Sequence, residues 1–193
     1  MTAIIILAAG QSSRLGKPKQ LLPYQNTNLL QHSINTALKL PYRPVVVVLG
    51  AFADDILSGI TPKPIDVIIN THWEEGMASS IRAGIDYLQK SAQVDDAIIM
   101  LCDQPHVDAG LLSQMVKTRQ QSGKGIVACG YNDTMGVPVL FDQKYFPELL
   151  NLAGQEGAKK LLTTHTSDTV TIPFPMGAVD IDTDDDYKNL NKK

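Results

Sequence analysis

The sequence predicts an α/β protein, a three-layer Rossmann-like domain with a mostly parallel sheet. Short β-branched runs alternate along the chain with longer amphipathic ones. Several short runs, among them Ile4-Ile5-Ile6-Leu7 and Ile98-Ile99-Met100-Leu101, are apolar throughout, which is the pattern of strands covered on both faces. The 193 residues, 44% of them hydrophobic, suit one domain able to bury roughly 70% of its unfolded surface. No low-complexity linker or internal repeat divides residues 1–193, which are expected to form that single domain.

The strands are expected at residues 3–8, 44–49, 66–70, 97–102, 125–129 and 137–141. Helices are expected between and after them, at 28–39, 54–59, 77–90, 109–121, 145–150 and 155–164. In the first helix Leu29, Leu30, Ile34, Ala37 and Leu38 recur at helical spacing. Asp108 is placed to cap the helix that begins at Ala109, and Thr183 to cap one whose first turn holds Asp184, Asp185 and Asp186. Open parallel sheets bind ligands beyond the carboxyl ends of their strands. Three segment ends there carry unusual chemistry, following Ala8, Cys102 and Ile181.

Composition narrows the function classes. With 19% charged residues the chain is not expected to be disordered, and a net charge of −3 argues against a nucleic-acid partner. No apolar run reaches the roughly 18–20 residues that span a bilayer, and the opening MTAIIILAAG lacks the basic start of a secretory signal. No membrane partner and a cytoplasmic location are expected. Cys102 and Cys129 both sit in strand-like runs and read as buried free thiols. The four histidines are scattered, without metal-ligand spacing. Charge is unevenly distributed. Residues 1–53 carry Arg14, Lys17, Lys19, Lys39 and Arg43 and no acid, whereas the remaining 140 residues carry 12 basic and 20 acidic side chains.

The loop after the first strand holds three of those early cations within six residues, beside the small residues Ala8, Ala9 and Gly10. Gly10 and Gly16 are read as turn residues, and the cations with nearby backbone N–H groups as a phosphate cradle; the alternative is a solvated connection. A Walker loop is excluded because five residues separate Gly10 from Gly16 and Pro18 follows Lys17. The dinucleotide fingerprint is excluded because Gly10-Gln11-Ser12 breaks it.

The run LAAGQSSRLGKPKQLLP resembles the opening signature of nucleotidyltransferases related to molybdenum-cofactor cytidylyltransferase and molybdopterin–guanine dinucleotide synthase, a MobA-like family. The match covers Gly10, Ser13, Arg14, Leu15, Gly16, Lys19, Leu21 and Leu22. The resemblance implies a fold of the nucleotide-diphospho-sugar transferase type, in which Arg14 and Lys19 hold a nucleoside triphosphate, with Lys17 a further candidate and Leu7, Ala8, Ala9 and Gly10 lining the nucleotide site. Leu101-Cys102-Asp103-Gln104-Pro105 resembles the family's second signature, whose Asp binds the metal. A carboxylate at that strand end also suits Mg²⁺, which takes one or two carboxylates plus substrate phosphates. The run Asp180-Ile181-Asp182 resembles the closing signature, with Asp184 where relatives carry proline. Alternation with Val179 and Ile181 places Asp180 and Asp182 on one face, and either completes the metal site, Asp182 being preferred.

Asn70 to Gly84 resembles the segment lining the nucleotide pocket. It contributes Gly76, Ser79 and Ser80, with Arg82 either a phosphate contact or a helix-surface residue, and Trp73 read as a packing residue in preference to a base-stacking platform. Segments 136–140 and 154–162 resemble the acceptor side but carry Val137 and Gln155 where relatives often have His and Asp. The expected reaction is Mg²⁺-dependent transfer of a nucleoside monophosphate to a phosphate-bearing small molecule, with release of pyrophosphate. Ala9 points to CTP over GTP, and the family to a molybdopterin-type acceptor. Guanylyl transfer to molybdopterin and cytidylyl transfer to a sugar or polyol phosphate are the alternatives within that chemistry, and a non-catalytic nucleotide-binding accessory protein the alternative outside it. Arg14, Lys19 and Asp103 are the expected catalytic residues. The expected site is bipartite, with cations for the triphosphate on one side and carboxylates for the metal on the other.

Overall fold

A computed structural model describes residues 1–61, 63–91, 93–155 and 157–190. The β-branched runs form the middle of a seven-stranded sheet: β1 (Thr2–Ala8), β4 (Val45–Leu49) and β6 (Asp96–Leu101). Around them lie β5 (Asp66–Ile69), β7 (Ile126–Tyr131), β8 (Thr134–Asp142) and β9 (Thr169–Pro173), in the order β5-β4-β1-β6-β8-β7-β9. All neighbours pair in parallel except β8, which runs antiparallel to both β6 and β7.

Successive side chains of β1 point to opposite faces, and the helices divide accordingly. Ile5 and Leu7 pack with Ile81, Ile85 and Leu88 of α3 (Met77–Ser91), and with residues of α5 (Phe146–Leu150) and α6 (Lys159–Thr164). Ile4 and Ile6 pack on the other face with α1 (Leu29–Leu38), α2 (Ala53–Ser58) and α4 (Ala109–Ser122). The result is the expected three-layer arrangement. Each fully buried Ile or Leu contributes on the order of 1.5–3 kcal/mol, which is why runs apolar on both faces settle in the centre of the sheet.

The expected caps form. Asp108 Oδ1 accepts from Leu111 N at 2.8 Å. Thr183 and Asp186 exchange bonds at the start of α7 (Asp184–Leu190), with Thr183 N donating to Asp186 Oδ2 at 2.8 Å.

The hairpin, the last strand and one helix depart from the sequence reading. The hairpin β2 (Pro23–Tyr24) and β3 (Thr27–Asn28) turns through Gln25 and Asn26, both in the left-handed region, without the glycine that marks such turns. Strand β9 buries only Ile172, so its run carries no buried-strand pattern. The helix expected over 155–164 spans Lys159–Thr164, and Glu156 lies outside the described residues.

Candidate functional site

Strand register brings the loops together. Leu7 pairs with Leu101, so the chain leaves β1 at Ala9-Gly10 beside the point where it leaves β6 at Cys102-Asp103. Ala8 pairs with Leu49 on the opposite edge, bringing Gly50 against Ala9, and Ala51 N bonds Ala9 O at 3.1 Å.

Local hydrogen bonds shape the loop after β1. Ser12 O accepts from Leu15 N and Gly16 N at 3.0 and 3.1 Å, and Gly16 takes a φ of +65°, which favours glycine. Gly10 does not follow the turn reading: it has no positive φ, and a Cβ there would meet nothing within 4 Å. It leaves bare backbone against open space. Gln20, fully buried, staples the loop through Nε2, which donates to Ala8 O at 2.7 Å and Gly10 O at 3.1 Å. Sequence reasoning passed over Gln20 because the signature singles out its charged neighbour.

The C-terminal acids reach the same place through Ile181. Its side chain is buried with Leu15, Leu22 and Leu29, and its N–H bonds Asp103 O at 3.1 Å. Asp180 and Asp182 flank this anchor and both line the cavity described below.

The charged groups interleave, which corrects the bipartite expectation. Lys19 Nζ bonds Asp103 Oδ2 and, at 2.8 Å, Asp182 Oδ1. Arg14 Nη2 bonds Asp182 Oδ2 at 2.6 Å. Cations and carboxylates therefore form one alternating chain, because β1 and β6 are adjacent and leave no room to hold like charges apart. Burial works against the Lys19 ammonium, yet the neighbouring Asp103 charge raises its pKa above the ordinary lysine value. For Asp182 burial alone would raise the carboxyl, but bonds from Lys19 and the charge of Arg14 hold it below the usual range. Asp180 is pushed up, first by burial and then by the negative charges of Asp182 and Asp103. Lys17 instead pairs with Asp184 at 3.3 Å on the exposed surface and does not line the cavity.

A cavity of about 570 Å³ opens over these groups, within the range of small-molecule sites. Of the expected nucleotide residues, Leu7, Ala8, Ala9, Gly10, Arg14, Lys19, Gly76 and Ser80 line it. Ser79 does not. It is buried, its hydroxyl donating to Gly76 O at 2.8 Å and accepting from Asn70 Nδ2 at 2.8 Å, so it shapes the turn. Gly76 has a φ of +106°, and a Cβ there would come within 2.6 Å of Gly154 O, so only glycine lets the two loops approach. Arg82 spans the same junction, donating to Leu152 O and Glu75 Oε2 at 2.6 Å each. Trp73, for which packing is the preferred reading from the sequence, also lines the cavity, and so do Glu74, Met77 and Gln155.

The donor set fits a hard divalent cation. Asp103 Oδ1 is buried and has no hydrogen-bond partner, and Asp180 and Asp182 supply further carboxylate oxygens. Among the described residues no three His, Cys, Asp or Glu side chains converge into a complete metal cage. Asp103 with one further carboxylate is the number of protein ligands a hard divalent cation takes when water and phosphate oxygens complete its shell. Both cysteines are free and buried, as expected, and burial pushes each thiol up to about 12. No helix among the described residues is long and apolar enough to cross a membrane.

Comparison with known proteins places this geometry in a family. Nicotine blue oxidoreductase of Paenarthrobacter nicotinovorans is 29% identical over 82% of this chain and 79% of its own length. Molybdenum cofactor cytidylyltransferase of Escherichia coli is 25% identical over 97% of this chain and 95% of its own. Rv0371c of Mycobacterium tuberculosis, also solved as a complex with manganese, superposes with a TM-score of 0.85 at 29% identity, covering all of this chain and 98% of that one. The manganese complex gives a TM-score of 0.81 at 27% identity, covering 98% of this chain and 97% of that one. With the MobA-like NTP transferase domain model matching residues 4–170, the chain belongs to that family and is a nucleotidyltransferase.

Proposed function

We propose that this nucleotidyltransferase moves CMP from CTP to the phosphate of a molybdopterin-type cofactor, with Mg²⁺ as its metal. The observation that carries the reading is the alternating chain Arg14–Asp182–Lys19–Asp103 at the carboxyl ends of β1 and β6, lining a cavity that also exposes the glycine loop. The small, uncharged wall of Ala8, Ala9 and Gly10 gives the phosphates close access to backbone. Arg14 and Lys19 bind their oxygens, and Lys19 offers its charge to the α-phosphate. The acceptor phosphate oxygen forms a bond to the α-phosphorus as the bond to the departing pyrophosphate breaks, so the protein's task is alignment and charge neutralisation. Asp103 with Asp182 or Asp180 would hold the cation, which when bound neutralises phosphate charge. No side-chain nucleophile is required.

CTP rests on Ala9, which is buried beside Gly50 and matches the cytidylyl branch. The molybdopterin acceptor rests on the likeness to the cytidylyltransferase over nearly the whole chain. One relative is by its name an oxidoreductase, so pyrophosphate release is the discriminating readout. The test is a thermal-shift panel of CTP, GTP, ATP and UTP with Mg²⁺, followed by pyrophosphate release with molybdopterin. CTP should stabilise most and support release. Selective stabilisation by GTP reassigns the base, release only with a sugar or polyol phosphate reassigns the acceptor, and binding without release under any acceptor leaves a nucleotide-binding accessory protein.

A further inference from the structure

The ionic chain accounts for one end of the cavity and leaves the end at Trp73 unexplained. Trp73, the chain's single tryptophan, lies in the short turn Trp73–Glu75 after β5 and is half-buried on the cavity wall. Met77, the first residue of α3, also lines the cavity and is 39% exposed. Leaving a large aromatic and a methionine partly in water forfeits the stabilisation their burial would bring, so a ligand surface that covers them is the economical explanation.

Their position says which part of the ligand that is. In the sheet, β4 and β6 flank β1 on opposite sides. Asp103 stands at the β6 side, whereas Trp73 packs at the β4 side. A Cβ on Gly50 would come within 2.6 Å of Trp73 Cβ and 2.8 Å of Ala9 O, so the missing side chain at Gly50 is what seats the tryptophan beside the phosphate loop. The cavity thus runs across the glycine loop from the ionic chain to an end where Trp73 and Met77 stand among Glu74, Ser80 and Gln155. That matches a molecule with phosphates at one end and a flat heterocycle at the other.

We propose that Trp73, assisted by Met77, is the stacking wall for the base of the nucleoside triphosphate. The inference rests on the nucleotide reading above and adds the residue that engages the base. Stacking on an aromatic tolerates any base, so Trp73 supplies affinity and orientation while the choice between bases is left to groups that meet the base edge.

The single tryptophan makes the test direct. Intrinsic fluorescence and calorimetry are followed while the full chain is titrated with CTP, GTP and inorganic tripolyphosphate, each with Mg²⁺, and with neopterin as a ring without a triphosphate. CTP or GTP should quench the emission, and tripolyphosphate should bind without quenching. Trp73→Ala should weaken nucleotide binding roughly 5- to 150-fold while leaving tripolyphosphate affinity unchanged, and Trp73→Phe should restore most of the loss. Circular dichroism shows whether each variant is folded, and the parent chain's fluorescence titration carries the test if the alanine variant is not. Calorimetric binding of CTP and GTP with unaltered fluorescence overturns the assignment and spares the nucleotide reading. Equal losses for nucleotide and tripolyphosphate in Trp73→Ala overturn it as well, as does loss of neopterin binding alone, which gives the wall to the acceptor. Failure of CTP, GTP and tripolyphosphate all to bind brings down both readings.

Discussion

Lys19 bonds Asp182 at 2.8 Å across 163 residues of sequence, joining the loop after β1 to the segment before the last helix. The same ammonium holds Asp103, so one side chain ties together three separate stretches of chain. It also sits on the carboxylate oxygens that a divalent cation would use.

Lys19→Met should therefore act in two directions. Turnover is expected to fall on the order of 10²–10³-fold, the usual loss when one group that stabilises transition-state charge is removed. Binding of Mn²⁺ without nucleotide, followed by electron paramagnetic resonance, should become tighter because the ammonium no longer competes for Asp103 and Asp182. Unchanged Mn²⁺ affinity would show that no such competition exists.

Gly76→Ala should loosen the junction between the loop at Gly76 and the loop at Gly154. The new Cβ must adopt a φ of +106° and approach Gly154 O to 2.6 Å. Strain of that kind costs about 1–3 kcal/mol, measurable as a lower urea midpoint.

Away from the site, Asp168 ties the start of β9 to the sheet. It accepts from Gly125 N at 3.1 Å and Tyr145 Oη at 2.5 Å, and pairs with Lys144 at 2.7 Å. Bonds from Lys144 and Tyr145 lower its pKa from 3.8 to about 2. A carboxylate whose folded pKa is depressed stabilises above its unfolded pKa and loses that contribution as pH falls through the folded value. Asp168→Asn should thus cost about 1 kcal/mol at pH 7, a figure reduced for solvent screening, with the gap to the parent closing between about pH 4 and pH 2. Thermal melts of both proteins across that range check the sign.

Both thiols should be inert in the native state, because burial pushes Cys102 and Cys129 up to about 12. Ellman's reagent at pH 8 should find almost no reactive thiol in the folded protein and two after denaturation in urea.

The sheet's central strands are legible because burial on both faces leaves an uninterrupted apolar run, as in Val45–Leu49. Strand β9 is not, since Ile172 is its single buried residue, and the β2–β3 turn is not, since Gln25-Asn26 lacks the usual glycine. In the site, charged residues at strand ends can be read because apolar strands do not ordinarily close on Arg, Lys and Asp. Their interleaving cannot, because it depends on which strands are neighbours. Ser79 and Trp73 exchange the places expected of them, the serine turned into the fold and the tryptophan onto the cavity wall, because a motif specifies residue types and spacing while packing decides which side chain faces the ligand.

The central claim is that Asp103, held against Lys19 at the end of β6, serves metal-dependent nucleotidyl transfer. Its most direct test is pyrophosphate release from CTP and Mg²⁺ with a molybdopterin acceptor, comparing the parent chain with Asp103→Ala after circular dichroism has shown both to be folded. Metal-dependent release by the parent and none above background by the variant is the predicted result; equal turnover in the two would contradict it.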